Sequence, residues 1–392
     1  MKKLLAILTI IVMVLTLVAC NGKDTPTSES PPNLGVQSSS SGAQNSPSSA
    51  AREIKADVFW YTYSDTYLTS VRNAMEEALN SKPNIKCTMY DCQEDQAKQT
   101  QMVETAITQG TDLLVVNIVT TGSEEAAMNI VNLAKDNDVP IIFFNREVSD
   151  SVVNSYDKCC FVGTDADEAG YMQGQAAAEY LLNPDNYIDG KNIYDLDGDG
   201  EIKYIMFRGE HGNAEALGRT KYSVQEANRV LSGSGLTLVP SPANETSTQY
   251  EDDGISNYFL YGNWSAANAA DLMRTALTVH SLTDGSIELI LANNDDQALG
   301  AIEAMNEEGF NTGSAGAGYI PVFGVDATTV AQEAISAGRM SGTVLQDGPA
   351  MANCIVALAQ SVSDGKSFES NNGSYNVDEG VFKIRIPYSI VS

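Results

Sequence analysis

Leu113-Leu114-Val115-Val116-Asn117-Ile118 and Pro140-Ile141-Ile142-Phe143-Phe144-Asn145 are short apolar runs that each carry an asparagine near the carboxyl end. Between them, Glu124–Asp136 has the spacing of a helix. A strand that is apolar at every position, rather than at alternate ones, is covered on both faces. That is the signature of a parallel sheet sandwiched between helices. Working outward, Val58-Phe59-Trp60-Tyr61-Thr62 leads into a helical pattern near Thr66–Asn80, and Ile85–Tyr90 into one near Asp95–Thr108. The rhythm restarts after Cys160-Phe161-Val162-Gly163-Thr164, with strands expected at Tyr204–Phe207, Leu236–Val239, Glu288–Ala292, Pro321–Val325 and Gly342–Leu345. This repetition predicts an α/β chain with two doubly wound parallel-sheet lobes.

The length of 392 residues suits two domains, and the net charge of -28 excludes nucleic acid as a partner, since nothing would offset phosphate repulsion. Lys2-Lys3 followed by the apolar run Leu4–Val18 reads as a secretory leader too short to span a bilayer comfortably. It ends in Leu17-Val18-Ala19-Cys20, which resembles a bacterial lipobox and implies a lipid on Cys20 that holds the protein to a membrane. Ordinary signal cleavage beside a chance cysteine is the alternative. Residues 21–53 are rich in Ser, Pro and Gly and read as a flexible tether, reaching on the order of 30 Å. The remaining cysteines, Cys87, Cys92, Cys159, Cys160 and Cys354, have neither metal spacing nor an even count, and read mostly as small buried hydrophobes.

In open α/β sheets, ligands bind beyond the carboxyl ends of the strands. Polar residues collect there at Tyr61–Tyr67, Asn145-Arg146, Gly209–Arg219, Asn293-Asn294-Asp295, Asp326 and Gln346-Asp347. Any one of them could simply cap the helix that follows. Together, on both lobes, amides, carboxylates and an arginine suit a polyhydroxylated ligand. Tyr67 and Trp264 would offer aromatic faces to a sugar ring.

A second motif is Asp195-Leu196-Asp197-Gly198-Asp199-Gly200-Glu201-Ile202-Lys203. Acidic residues at alternate positions, closed by a glycine, curl oxygens around one hard cation, with Glu201 giving its carbonyl. The twelfth position holds Met206 instead of the closing glutamate, so that carboxylate must come from elsewhere. The alternative is a solvated acidic turn.

Seven collinear segments carry a family resemblance: Gln93–Gln99, Val139–Glu147, Ser155–Lys158, Val162–Asp165, Ala292–Asp295, Pro321–Asp326 and Gly342–Leu345. In these the chain resembles the periplasmic glucose/galactose-binding proteins of bacterial ABC transporters, over nearly everything from Ala56 to Tyr388. The resemblance implies a type I periplasmic-binding-protein fold with a three-segment hinge near Gly163-Thr164, Gln346 and Ile386-Pro387. The lobes would be 54–163 plus 347–385, and 164–346 plus 386–392. It implies calcium in the acidic loop, closed by Glu288. The family's usual Gln is Lys203 here, and an ammonium cannot ligate calcium, so Lys203 could instead neutralise the loop itself.

The family's sugar site falls on Tyr61, Asp65, Tyr67, Asn145, Arg219, Trp264, Asn294 and Asp326, with Tyr67 in place of a Phe. Three positions depart further: Asn213 for a His, Glu215 for an Asp and Gln346 for an Asn. His211 would need a local gap to fill the His role. An acidic, aromatic insertion at 245–262 reads as a surface loop. The resemblance thus implies a monomeric, lipid-anchored extracellular protein that closes over one monosaccharide, glucose or galactose, and docks on an ABC permease. Alternatives are a sensor presenting sugar to a chemotaxis or kinase receptor, and a different sugar such as a pentose. No catalytic residue is expected; His211 and His280 have no nucleophile pattern around them.

Overall fold

The computed structural model describes residues 51–246 and 259–392. The apolar leader, Cys20, the tether up to residue 50 and positions 247–258 of the insertion lie outside the described residues. The first lobe begins with β1 (Ile54–Trp60), α1 (Thr66–Asn80), β2 (Ile85–Asp91), α2 (Gln96–Thr108), β3 (Leu113–Val116), α3 (Glu124–Asp136), β4 (Ile141–Phe144), α4 (Asp150–Asn154) and β5 (Cys159–Gly163). The chain then continues through α5 (Ala166–Leu181), the hairpin β6 (Tyr187–Ile188) and β7 (Lys191–Asn192), β8 (Glu201–Arg208), α6 (Ala214–Leu231) and β9 (Thr237–Pro240). Next come β10 (Leu260–Tyr261), α7 (Ala266–Leu277), β11 (Leu289–Ala292), α8 (Asp295–Glu307), β12 (Val322–Phe323), α9 (Thr329–Ser336) and β13 (Thr343–Gln346). The last elements are α10 (Gly348–Ser363), β14 (Asn376–Val377), β15 (Lys383–Arg385) and β16 (Tyr388–Val391).

The first sheet runs β14-β15-β5-β4-β3-β1-β2, and all of its pairings are parallel except β14 with β15. Its two faces bury separate cores. Ala56, Val58 and Trp60 of β1 point to one, with Val115 and Phe144; Phe59 points to the other, with Leu114, Val116 and Phe143. This is why β3 and β4 are apolar at every position. α1 covers the first face through Leu68, Val71, Met75 and Leu79, whose spacing of three or four keeps them on one side.

The second sheet runs β10-β8-β11-β12 in parallel, with β9 sharing the β10 edge of β8, and isolated bridges carry it on to β13. The chain crosses between the sheets from β5 to α5, from β13 to α10, and from β15 to β16. The first two crossings lie at a strand's carboxyl end, where apolar sequence gives way to polar. β15 was not among the expected strands, although Phe382-Lys383-Ile384-Arg385-Ile386 alternates apolar and charged residues, and it pairs with β5 inside the first sheet. Cys92, Cys159, Cys160 and Cys354 are buried free thiols and Cys87 is half-buried, in keeping with their reading as small core residues. Among the described residues no helix is long and apolar enough to cross a membrane.

Candidate functional site

The carboxyl ends of both sheets face each other across a small polar cavity. The first lobe contributes Asp65, Tyr67, Asn145 and Arg146 to its walls; the second contributes Asn213, Glu215, Arg219, Trp264, Asn294 and Asp326, and Gln346 stands at a crossing. Of the residues expected at a sugar site, only Tyr61 is outside this wall. It lines the adjoining groove at the mouth, with Glu94, Tyr261 and Trp264, and reaches the cavity through its hydroxyl, which donates to Asp65 Oδ2 at 2.8 Å. His211 lies at the same mouth, its ring 5.3 Å from that of Tyr261, so Asn213 and not His211 is the residue in the wall.

Helix capping explains several of these positions without exhausting them. Asp65 Oδ1 accepts from Leu68 N at 2.7 Å, Asn213 Oδ1 from Ala216 N at 3.1 Å, and Asn294 Oδ1 from Gln297 N at 3.0 Å. Each therefore holds the start of a helix with one atom while lining the cavity. Backbone strain gathers here too: Asn145 (φ 59°), Trp264 (φ 64°) and Asp326 (φ 118°) are all in left-handed territory. Such conformations cost energy and tend to persist where function needs a side chain aimed in one direction. Gly209 permits the placement of Trp264, since a Cβ there would lie 2.3 Å from the indole ring.

Arg219 is the electrostatic centre. Its Nη1 donates to the Asn293 carbonyl at 2.7 Å, its Nη2 to Gln346 Oε1 at 3.2 Å and Tyr388 Oη at 2.9 Å, and its Nε to Glu215 Oε2 at 3.1 Å. Asp326 Oδ1 stands 3.6 Å from Nη1. Burial alone would weaken the guanidinium's hold on its proton, but Tyr388, Glu215 and Asp326 more than offset it, and Arg219 stays charged. Burial pushes the Asp326 carboxyl well up, against the pull of Arg219 and with the added repulsion of Asp295. Glu215 spends both oxygens inside the protein, accepting from Thr164 Oγ1 at 2.6 Å and from Tyr388 Oη at 2.7 Å. Gln346 Nε2 donates to Thr164 Oγ1 at 3.1 Å. Thr164, Gln346 and Tyr388 thus bring all three crossings into one network.

Tyr67 differs from every other wall residue. It is 8 % exposed, and its hydroxyl has no hydrogen-bond partner among the described residues. An orphaned buried hydroxyl costs free energy, and beside the cavity it is a donor and acceptor held ready for a ligand.

Arg146, which the sequence places at a strand end without a role, is fixed by the carbonyls of Ile118 at 2.7 Å and Val119 at 2.9 Å. It stacks over the Tyr61 ring, 4.1 Å from its centre, and pairs with Glu210 on the other lobe. Gly122 and Gly212 also meet across the cleft; a Cβ on Gly122 would lie 2.8 Å from the Gly212 carbonyl oxygen. The lobes are closed on each other.

In the acidic loop, single carboxylate oxygens of Asp195, Asp197 and Glu288 lie within 4.8 Å of one another. Asp195 Oδ1 is buried and has no partner among the described residues, which suits a cation. The remaining oxygens are occupied. Glu288 accepts from Leu196 N at 2.7 Å and Lys203 N at 2.8 Å, and Asp195 Oδ2 from Gly200 N at 3.1 Å. Asp199 Oδ1 caps Glu201 N at 2.8 Å, while the Glu201 side chain is exposed. Lys203 Nζ stands 2.9 Å from Asp197 Oδ2 and 2.9 Å from Asp199 Oδ2. Calcium here would lie against an ammonium, so the residues present do not fit it while Lys203 keeps this place.

The family model described as periplasmic binding protein domain matches residues 56–367. The D-galactose/methyl-galactoside binding periplasmic protein MglB of Haemophilus influenzae is 31 % identical over 341 residues, spanning 87 % of this chain and 90 % of that protein. The ribose import binding protein RbsB of Escherichia coli is 21 % identical over 285 residues, spanning 73 % of this chain and 76 % of its own. Among solved structures, an ABC transporter solute binding protein from Bacillus halodurans with bound myo-inositol has a TM-score of 0.64 at 24 % identity, covering 88 % of this chain and 96 % of that one. At that identity the likeness speaks to the fold alone.

Proposed function

The chain belongs to the periplasmic binding protein family, and from that premise we propose that it captures a monosaccharide between its lobes and delivers it to an ABC permease. It is a binding protein and not an enzyme, as its relatives are. Glucose or galactose is the ligand we put first. A galactose-binding relative matches at 31 % identity, and the cavity wall supplies carboxylates, amides, two arginines and two aromatic rings. The observation that carries the reading is the unpartnered Tyr67 hydroxyl at this wall, a polar atom that a hydroxyl of a sugar would satisfy. Ligand bridging both lobes would favour the closed arrangement that the Arg146–Glu210 pair already defines, and that closed form would be the one presented to the permease. Lipid on Cys20 would hold the protein, as a monomer, at the outer face of the membrane.

Titration calorimetry with galactose, glucose, xylose, ribose and myo-inositol tests this. One of the hexoses binding at least ten-fold more tightly than either pentose and the inositol is the expected result. A preference for a pentose or an inositol would move the ligand while leaving the family untouched. Binding of none of them would overturn the sugar reading.

A further inference from the structure

We propose that the ammonium of Lys203 is the resident cation of the acidic loop, standing where a divalent ion would otherwise bind, so that the second lobe keeps its fold without calcium. Lys203 is paired with Val239 of β9, its carbonyl accepts from Glu288 N at 2.8 Å and its own N–H donates to Glu288 Oε2 at 2.8 Å. Its neighbours Ile202 and Tyr204 are buried in the core on one face of β8, so the Lys203 side chain leaves from the other, toward the loop. The side chain is 15 % exposed and its Nζ reaches Asp197 and Asp199 together, bringing two arms of the loop to one positive charge.

Two neighbours of this ion pair suit it. Gly285 (φ 81°) sits against Asp197, where a Cβ would come within 2.8 Å of Oδ2, so a glycine there leaves that carboxylate its place beside Lys203. Glu288 draws its hydrogen bonds from backbone N–H groups and does not depend on a metal to be satisfied. A free ion must be recruited from solution against its loss of translational freedom, whereas a cation on the chain is present at a fixed high effective concentration. No chelator can remove it. The inference is independent of which sugar the cleft takes.

The test compares the protein and its Lys203→Gln variant by calorimetry, each in millimolar calcium and in excess chelator. For the protein itself, the same melting temperature in both buffers is expected, with no heat on titrating calcium. The Lys203→Gln variant is expected to melt lower in chelator and to regain roughly 5 °C with calcium, because only then do the carboxylates need an outside cation. Stoichiometric calcium binding by the unaltered protein, with a melting temperature that drops in chelator, would overturn the proposal. So would a Lys203→Gln variant that ignores calcium altogether. If Lys203→Gln does not fold in either buffer, Lys203→Met serves as the second variant, and the titration of the unaltered protein decides by itself.

Discussion

Glu215 and Tyr388, 173 positions apart, meet at 2.7 Å beneath the floor of the cleft. The contact joins a helix of the second lobe to the last crossing of the chain, and Thr164 and Gln346 tie the other two crossings to the same spot. A longer carboxylate than the family's aspartate therefore has a structural reason to be here. Glu215 reaches past the cavity to the hinge.

Removing the Tyr388 hydroxyl should loosen that joint. Tyr388→Phe leaves Glu215 and Arg219 each short of one buried partner, and a destabilisation of about 1–3 kcal/mol is expected. Urea unfolding measures it. An unchanged midpoint would mean that the three crossings are held by something other than this network.

Tyr67→Phe should behave in the opposite way. The hydroxyl has no partner among the described residues, so the folded protein loses nothing with it and should melt at the same temperature or higher. Affinity for the favoured sugar should fall about ten-fold, the equivalent of one hydrogen bond at roughly 1.4 kcal/mol. A variant that melts lower yet binds equally well would place the hydroxyl in the core and not at the ligand.

The clasp between Arg146 and Glu210 can be removed without disturbing its arginine, which keeps its bonds to Ile118 and Val119. Glu210→Ala is expected to raise the sugar dissociation rate several-fold and to enlarge the sugar-free particle in small-angle scattering. Equal radii for the two proteins would show that the clasp does not hold the lobes together.

Stability should also depend on the protonation of Asp295. Its carboxyl is buried, accepting from Thr343 Oγ1 at 2.6 Å and Thr328 N at 2.7 Å, and burial raises its proton affinity above the usual carboxylate range. In the unfolded chain the same group releases its proton near pH 4, as a rough reference value. Between that pH and its own higher value the fold keeps a proton that the unfolded chain has lost, so stability falls as pH rises, by up to about 1.4 kcal/mol per unit. Melting curves from pH 5 to pH 8 should slope downward, and Asp295→Asn should slope less. Parallel slopes would assign the dependence to the general acidity of the chain.

Much of this was legible in the sequence because much of it is local. All-apolar runs such as Leu113–Val116 and Ile141–Phe144 carry their two-sided burial in their composition, and the polar residue after each strand marks the cleft. Asp65, Asn213 and Asn294 were readable both as caps and as wall residues, and are both. Tyr388 was not readable, since a hydroxyl whose partners lie on Glu215, Arg219 and Thr164 leaves no spacing in its own neighbourhood. Arg146 escaped a role for the same reason, its counterpart Glu210 lying on the other lobe. The left-handed backbone at Asn145, Trp264 and Asp326 is invisible in residue type, for none of them is a glycine.

The place of β15 bears on how the molecule is made. Lys383–Arg385 pairs with β5, and β14 pairs in turn with β15, so two strands of the first sheet come from a segment that follows the second sheet in the chain. During synthesis the first five strands emerge early, yet β5 keeps a bare edge until residues 383–385 have left the ribosome as well. Bare edges recruit other strands, and a half-built sheet is the species most prone to pair wrongly. Completion of the first sheet thus waits on residues 376–385, and a chain truncated before residue 383 would be left with an open, adhesive sheet and not with a smaller working protein.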